Sequence, residues 1–211
     1  MRVSTSGSSH QFAGRQGRQT ADRGFRGRAR ALTIFSTVML ALAAGLCAAV
    51  GRAAKDSVGK VELKSPAFAP GGTIPVQFTC SGADISPPLA WSPPPQGTRT
   101  FALIMDDPDA PGGTWSHWVV YNLLPSTRQL PQAAPQGDTI AGGGEQGLND
   151  FHKIGYGGPC PPPGKPHRYF FRIYALDTML DLLAPAQRKD ILASMKDHLL
   201  AQGELMGTFG R

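Results

Sequence analysis

Beyond residue 60 the chain alternates short apolar runs of strand length with proline and glycine punctuation. Thr100-Phe-Ala-Leu-Ile-Met105 is continuously apolar, which predicts a strand buried on both faces. Residues 115–122 and 168–176 are rich in aromatic and β-branched side chains, the composition that suits a pleated, half-buried surface. Weaker strands are expected at 61–64 and 73–79, with Pro70-Gly-Gly72 turning the chain between them. Residues 73–79 alternate well, but Pro75 has no N–H for a ladder, so this strand is expected at an edge. Ser86-Pro-Pro-Leu-Ala-Trp91 reads as an extended segment, and 123–166 as loop-dominated, with Gly142-Gly-Gly144 and Pro161-Pro-Pro163. Loops that long in a compact domain are usually functional.

One helix is predicted near the C-terminus. Pro185 suits a first turn, Ile191, Leu192, Met195 and Leu199 keep a core-facing stripe at helical spacing, and Gly203 falls where a C′ residue belongs. Residues 204–209 read as a last short strand. The whole pattern is that of an all-β domain with many turns, without internal repeat or linker between halves.

Length and charge refine this picture. The 211 residues suffice for one domain with a substantial core once a targeting segment is set aside. The net charge of +6 suggests a nucleic-acid or membrane-surface partner until it is located along the chain. Seven arginines lie within residues 1–30 against one acid, Asp22, whereas from residue 50 onward 14 Lys and Arg balance 14 Asp and Glu. The expected domain is therefore neutral, and no nucleic-acid partner is expected.

Residues 31–50 form a charge-free run of 20 behind those arginines and end in small residues, as a secretory signal peptide does. An uncleaved membrane anchor, or lipidation at Cys47, fits the same run; Leu46 is a poor residue before a lipidated cysteine. Each option places the domain outside the cytoplasm, in the periplasm or cell envelope. The expected boundaries are 1–49 for the leader, 50–60 for a polar linker and 61–211 for the domain. Outside the leader only Cys80 and Cys160 remain, a pair suited to one disulfide in an oxidising compartment or to two buried thiols.

Candidate chemistry gathers at strand ends. Asp107 and Asp109 follow the buried run at 100–105 within Asp107-Pro-Asp-Ala-Pro111, whose prolines hold the backbone in place before a ligand arrives. Trp115-Ser-His117 opens the next strand, and His167-Arg-Tyr169 opens the one after. By alternation His167 and Tyr169 share a face, as do Trp115 and His117, with Ser116 and Trp118 on the other. Should these ends converge, two imidazoles, two carboxylates and a phenol would form a small site suited to an anion such as phosphate. His152 and His198 lack such company and read as surface residues.

These motifs, with Gly155-Tyr-Gly-Gly-Pro159, resemble the phosphatidylethanolamine-binding protein family, most closely its bacterial branch of Raf-kinase-inhibitor-like proteins. Phe78-Thr-Cys-Ser-Gly-Ala83, residues 86–91 and Asn149-Asp-Phe151 also fit that branch, so the resemblance spans roughly residues 60–209. It implies an antiparallel β-sandwich with one or two C-terminal helices. It also implies a cavity for phosphate-type anions and phospholipid head groups, in which Asp107, Asp109, Pro111, His117, Gly158, Pro159, His167 and Tyr169 match the family's pocket residues. The expected function is non-enzymatic binding that needs no cofactor. A protein-interaction or inhibitor module is the alternative, and a metal-assisted enzyme is a weaker one, because no GxSxG, HExxH or P-loop is present. Kinase inhibition does not suit an exported chain.

Overall fold

A computed structural model describes residues 58–211, and the expectations for the leader and for most of the linker lie outside these residues. The strands are β1 (Gly59–Lys60), β2 (Leu63–Lys64), β3 (Leu89–Trp91), β4 (Thr100–Asp107), β5 (Trp115–Leu123), β6 (Gln129–Leu130), β7 (Thr139–Ile140), β8 (Gly144–Gln146), β9 (His167–Leu176) and β10 (Leu199–Phe209). Among the described residues one α-helix, α1 (Arg188–Ser194), lies between β9 and β10. Seven strands form a sheet in the order β1-β10-β9-β4-β5-β8-β7, and β2-β3-β6 form a second, smaller sheet. Pairing is antiparallel throughout except for β1 on β10.

The apolar run of β4 is central in the large sheet, and alternation sends its residues into two separate cores. Phe101, Leu103 and Met105 join Trp118, Val120, Phe171 and Ile173 against Leu89, Trp91 and Leu130 of the small sheet. Ala102 and Ile104 join Val119, Tyr121 and Tyr174 against Ile191 of α1 and Met195 at its C-cap. A strand with helix on one side and sheet on the other has no wet face, which is why its sequence does not alternate.

Two expected elements differ. Residues 73–79 are not a strand: Thr73 makes one isolated bridge to Thr208, and Val76–Phe78 is a 3-10 turn. Pro75, without an N–H and with φ at −58°, ends the pairing that alternation would have extended. The helix is shorter than its stripe suggests. It starts at a capping box between Gln187 and Asp190 and stops after Ser194, so Leu199 and Gly203 belong to β10. Gly203 serves close packing there, since a Cβ would run into the Val61 carbonyl oxygen. It is not a C′ residue.

Candidate functional site

The chain reverses at the end of β4, where alternation parts two adjacent carboxylates. Asp106 turns to the helix side and meets Arg188 at 2.9 Å and Arg172 at 3.4 Å. Burial raises its pKa above the ordinary carboxylate value, partly offset by those guanidinium groups. Asp107, on the opposite face, accepts the Asp109 N–H at 2.8 Å on Oδ1, an Asx turn that shapes the loop. Its Oδ2 lies 2.8 Å from Nδ1 of His167, the first residue of β9. A carboxylate oxygen accepts, so Nδ1 carries the proton and Nε2 is the free polar atom of that ring.

His117 reaches the same place through a bulge. Met105 pairs with Trp118 and Asp106 with Ser116, so His117 is an extra residue opposite no partner. The bulge corrects the simple alternation expected for β5. Trp118 enters the inter-sheet core and donates to Gln146 at 2.8 Å, while His117 and Trp115 both reach the cavity. His117 Nδ1 donates to the Gly157 carbonyl at 2.7 Å. Its ring meets Phe151 and Tyr169 edge to face, each at 5.2 Å. Burial lowers its pKa below 6.5, against the opposing pull of Gly157 and Asp107.

Asn149 and Asp150 fix the loop that carries Phe151 and Gly157. The Asn149 amide donates to Gly155 O at 3.0 Å and accepts the N–H groups of Phe151 and Lys153 at 3.0 and 3.1 Å. Asp150 accepts the Ser116 N–H at 2.6 Å, which ties the loop to the bulge. The Cys80–Cys160 disulfide, with Cα atoms 5.3 Å apart, anchors the far end.

Together these elements enclose a cavity of about 170 Å³. Of the residues expected there, Asp107, Pro111, His117 and His167 line it. The others stand behind or beside it. Asp109 grips Arg168 through two side-chain contacts of 2.9 and 2.7 Å and its backbone N–H at 2.9 Å. These bonds hold its pKa down to about 2. Tyr169 is fully buried beneath His117, and its hydroxyl has no hydrogen-bond partner. Burial, reinforced by the Asp107 carboxylate, pushes that phenol far above its ordinary value. Gly158 donates its N–H to Asp84 at 2.7 Å, and the Pro159 carbonyl accepts the Cys80 N–H at 3.1 Å.

The walls supply what the sequence reading left out: Trp115, Phe151, Cys160, Pro161 and Pro162 give a mostly apolar rim above a polar floor. Trp115 and Phe151 lay inside motifs already singled out, but nothing in their spacing marked them as walls. A larger depression of about 540 Å³, beside Lys60, Arg172 and Glu204, contains none of the expected site residues. Among the described residues, no three His, Cys, Asp or Glu side chains are grouped to hold a metal ion. His198, expected as a surface residue, is half-exposed and pairs with Asp177 at 2.7 Å.

Known proteins share both the sequence pattern and the fold. The family model for phosphatidylethanolamine-binding protein matches residues 64–210. A UPF0098 protein of Methanothermobacter thermautotrophicus is 46% identical over 151 residues, covering 72% of this chain and 99% of that protein. A UPF0098 protein of Aquifex aeolicus is 47% identical over 153 residues, covering 72% and 89%. The crystal structure of a phosphatidylethanolamine-binding protein homolog from Chlamydia trachomatis superposes with a TM-score of 0.66 at 40% identity, covering 72% of this chain and 99% of that one. Escherichia coli YbcL, described as a new member of the mammalian family, gives a TM-score of 0.68 at 31% identity with the same coverage.

Proposed function

The chain belongs to the phosphatidylethanolamine-binding protein family, and from that premise we propose that it is an exported, non-enzymatic binding protein. Its cavity takes a small phosphate-type anion or a phospholipid head group. The observation that carries this reading is two imidazoles on one cavity with both Nδ1 atoms already engaged, by Asp107 and by Gly157. Each ring is thereby held in one orientation, and two Nε2 atoms remain for a ligand. With both nitrogens protonated, His167 presents an N–H to an anion while Asp107 balances the charge. The apolar rim suits a ligand whose charged group carries a less polar substituent.

Binding rather than catalysis is supported by the lining. It contains no hydroxyl or amine nucleophile, and its cysteine, Cys160, is in the disulfide. Export is supported by the basic stretch that precedes the apolar run at 31–50, and by a disulfide that persists in an oxidising compartment. Isothermal titration with inorganic phosphate and with phosphoethanolamine tests the reading. Saturable heat is expected for the wild type and its loss for His167→Ala; equally negligible heats from both proteins contradict it.

A further inference from the structure

We propose that the domain carries a second binding site, separate from the His117–His167 cavity, for a small zwitterion of the α-amino acid class. The site is a cavity of about 190 Å³. It shares the Phe151 and Cys160 walls with the first cavity, whereas Asp84 and Lys153 line this one alone.

The argument starts from those two charges. Asp84, in the turn before β3, accepts the Gly158 N–H at 2.7 Å on Oδ1, and Oδ2 has no hydrogen-bond partner among the described residues. Lys153, in the loop after β8, forms no ion pair among the described residues, and neither does Asp84. Opposite charges therefore line one small cavity without meeting each other. A ligand with an ammonium for Asp84 and a carboxylate for Lys153 completes both with charge-assisted hydrogen bonds.

The backbone holds these residues in place. Asp84 has φ at 54°, a left-handed conformation that few residues other than glycine adopt. A Cβ on Gly158 would lie 2.5 Å from the Asp84 carboxylate and from the Phe78 carbonyl oxygen, so glycine is needed for the peptide to approach Asp84. The Asn149 side chain accepts the Lys153 N–H at 3.1 Å, and the Asn149 N–H donates to the Lys153 carbonyl at 2.9 Å. The Tyr156 hydroxyl donates to the Phe78 carbonyl at 2.7 Å, which fixes the ring that forms another wall. Walls fixed before a ligand arrives reduce the entropy lost on binding.

Size and net charge narrow the ligand class. The volume is the liquid-state share of roughly six waters, too small for a lipid with its acyl chains and enough for one amino acid. Phe151, Tyr156 and the Cys80–Cys160 disulfide offer an apolar side chain its contact surface. One lysine and one aspartate make the lining neutral, and an amino acid is neutral overall. A phosphate monoester of an amine brings more negative charge than a single lysine balances.

Isothermal titration of the wild type with leucine, leucinamide and N-acetylleucine tests this. Leucinamide keeps the ammonium and lacks the carboxylate; N-acetylleucine is the reverse. Leucine is expected to give saturable heat, and both derivatives to bind at least about tenfold more weakly, the size of one lost hydrogen bond to a charged group. Asp84→Asn keeps an oxygen for the Gly158 N–H and removes the charge, and Lys153→Gln alters an exposed side chain. Each variant, shown folded by circular dichroism, is expected to lose leucine affinity by a similar factor. No heat from leucine overturns the proposal, whatever phosphate does at the other cavity. Either derivative binding as tightly as leucine overturns it, as does unchanged leucine affinity in folded Asp84→Asn.

Discussion

Asp106, Asp107 and Asp109 stand within four positions and meet three different environments. Asp106 is buried against Arg172 and Arg188, Asp107 orients His167, and Asp109 holds Arg168. The Asp109 pKa is depressed to about 2, so its contribution to stability is present above the ordinary carboxylate range and is lost as pH falls toward that value. The Arg168 partner is exposed, and solvent screening leaves the pair little weight. Asp109→Asn is therefore expected to shift the urea unfolding midpoint only slightly and to leave phosphate affinity nearly unchanged. Asp107→Asn is expected to weaken phosphate binding by at least about tenfold, because His167 loses the carboxylate that orients it. His117 has the opposite pH sign from Asp109. Its folded pKa lies below the unfolded value of 6.5, so the unfolded chain takes up the proton first and stability falls as pH drops below 6.5. Unfolding followed between neutral pH and about pH 5 is expected to show that loss, and a flatter profile for His117→Gln.

At the scale of elements, what could be read in advance followed the strength of periodicity. The β4 run, with apolar neighbours on both faces, declared itself, as did β5 and β9. The β10 strand was half hidden, because Gly203 and Gly207 occupy inward positions that normally show large apolar side chains. Without them Leu199 fell into step with the helical stripe. The bulge at His117 had no local signature either, since it arises from Trp118 entering the inter-sheet core while His117 stays with the cavity. Asp109 and Tyr169 were found by motif, yet their roles as loop anchor and buried support needed the geometry. Gly203→Ala is expected to destabilise the fold by about 1–3 kcal/mol in chemical denaturation, because its Cβ meets the backbone of Val61, which has little room to yield.

Across the whole molecule, the two-sheet architecture followed from many short strands with turn residues between them, whereas the cavity depends on long-range contacts that no segment records. The disulfide closes a separation of 80 residues and also walls the cavity through Cys160. Replacing both cysteines by alanine is expected to lower stability by about 2–5 kcal/mol and to weaken phosphate binding as well, read by denaturation and titration on the same protein. A cleaved leader is expected to leave an N-terminus near residue 50 in mass spectrometry of the exported protein, whereas a membrane-bound full-length product favours an anchor. The central claim is that an anion sits between two imidazoles oriented by Asp107 and Gly157. A crystal structure of the protein with inorganic phosphate tests it most directly. The account predicts a tetrahedral anion within hydrogen-bond distance of Nε2 of both His117 and His167; phosphate bound only elsewhere, such as beside Lys60 and Arg172, with this cavity holding none, would contradict it.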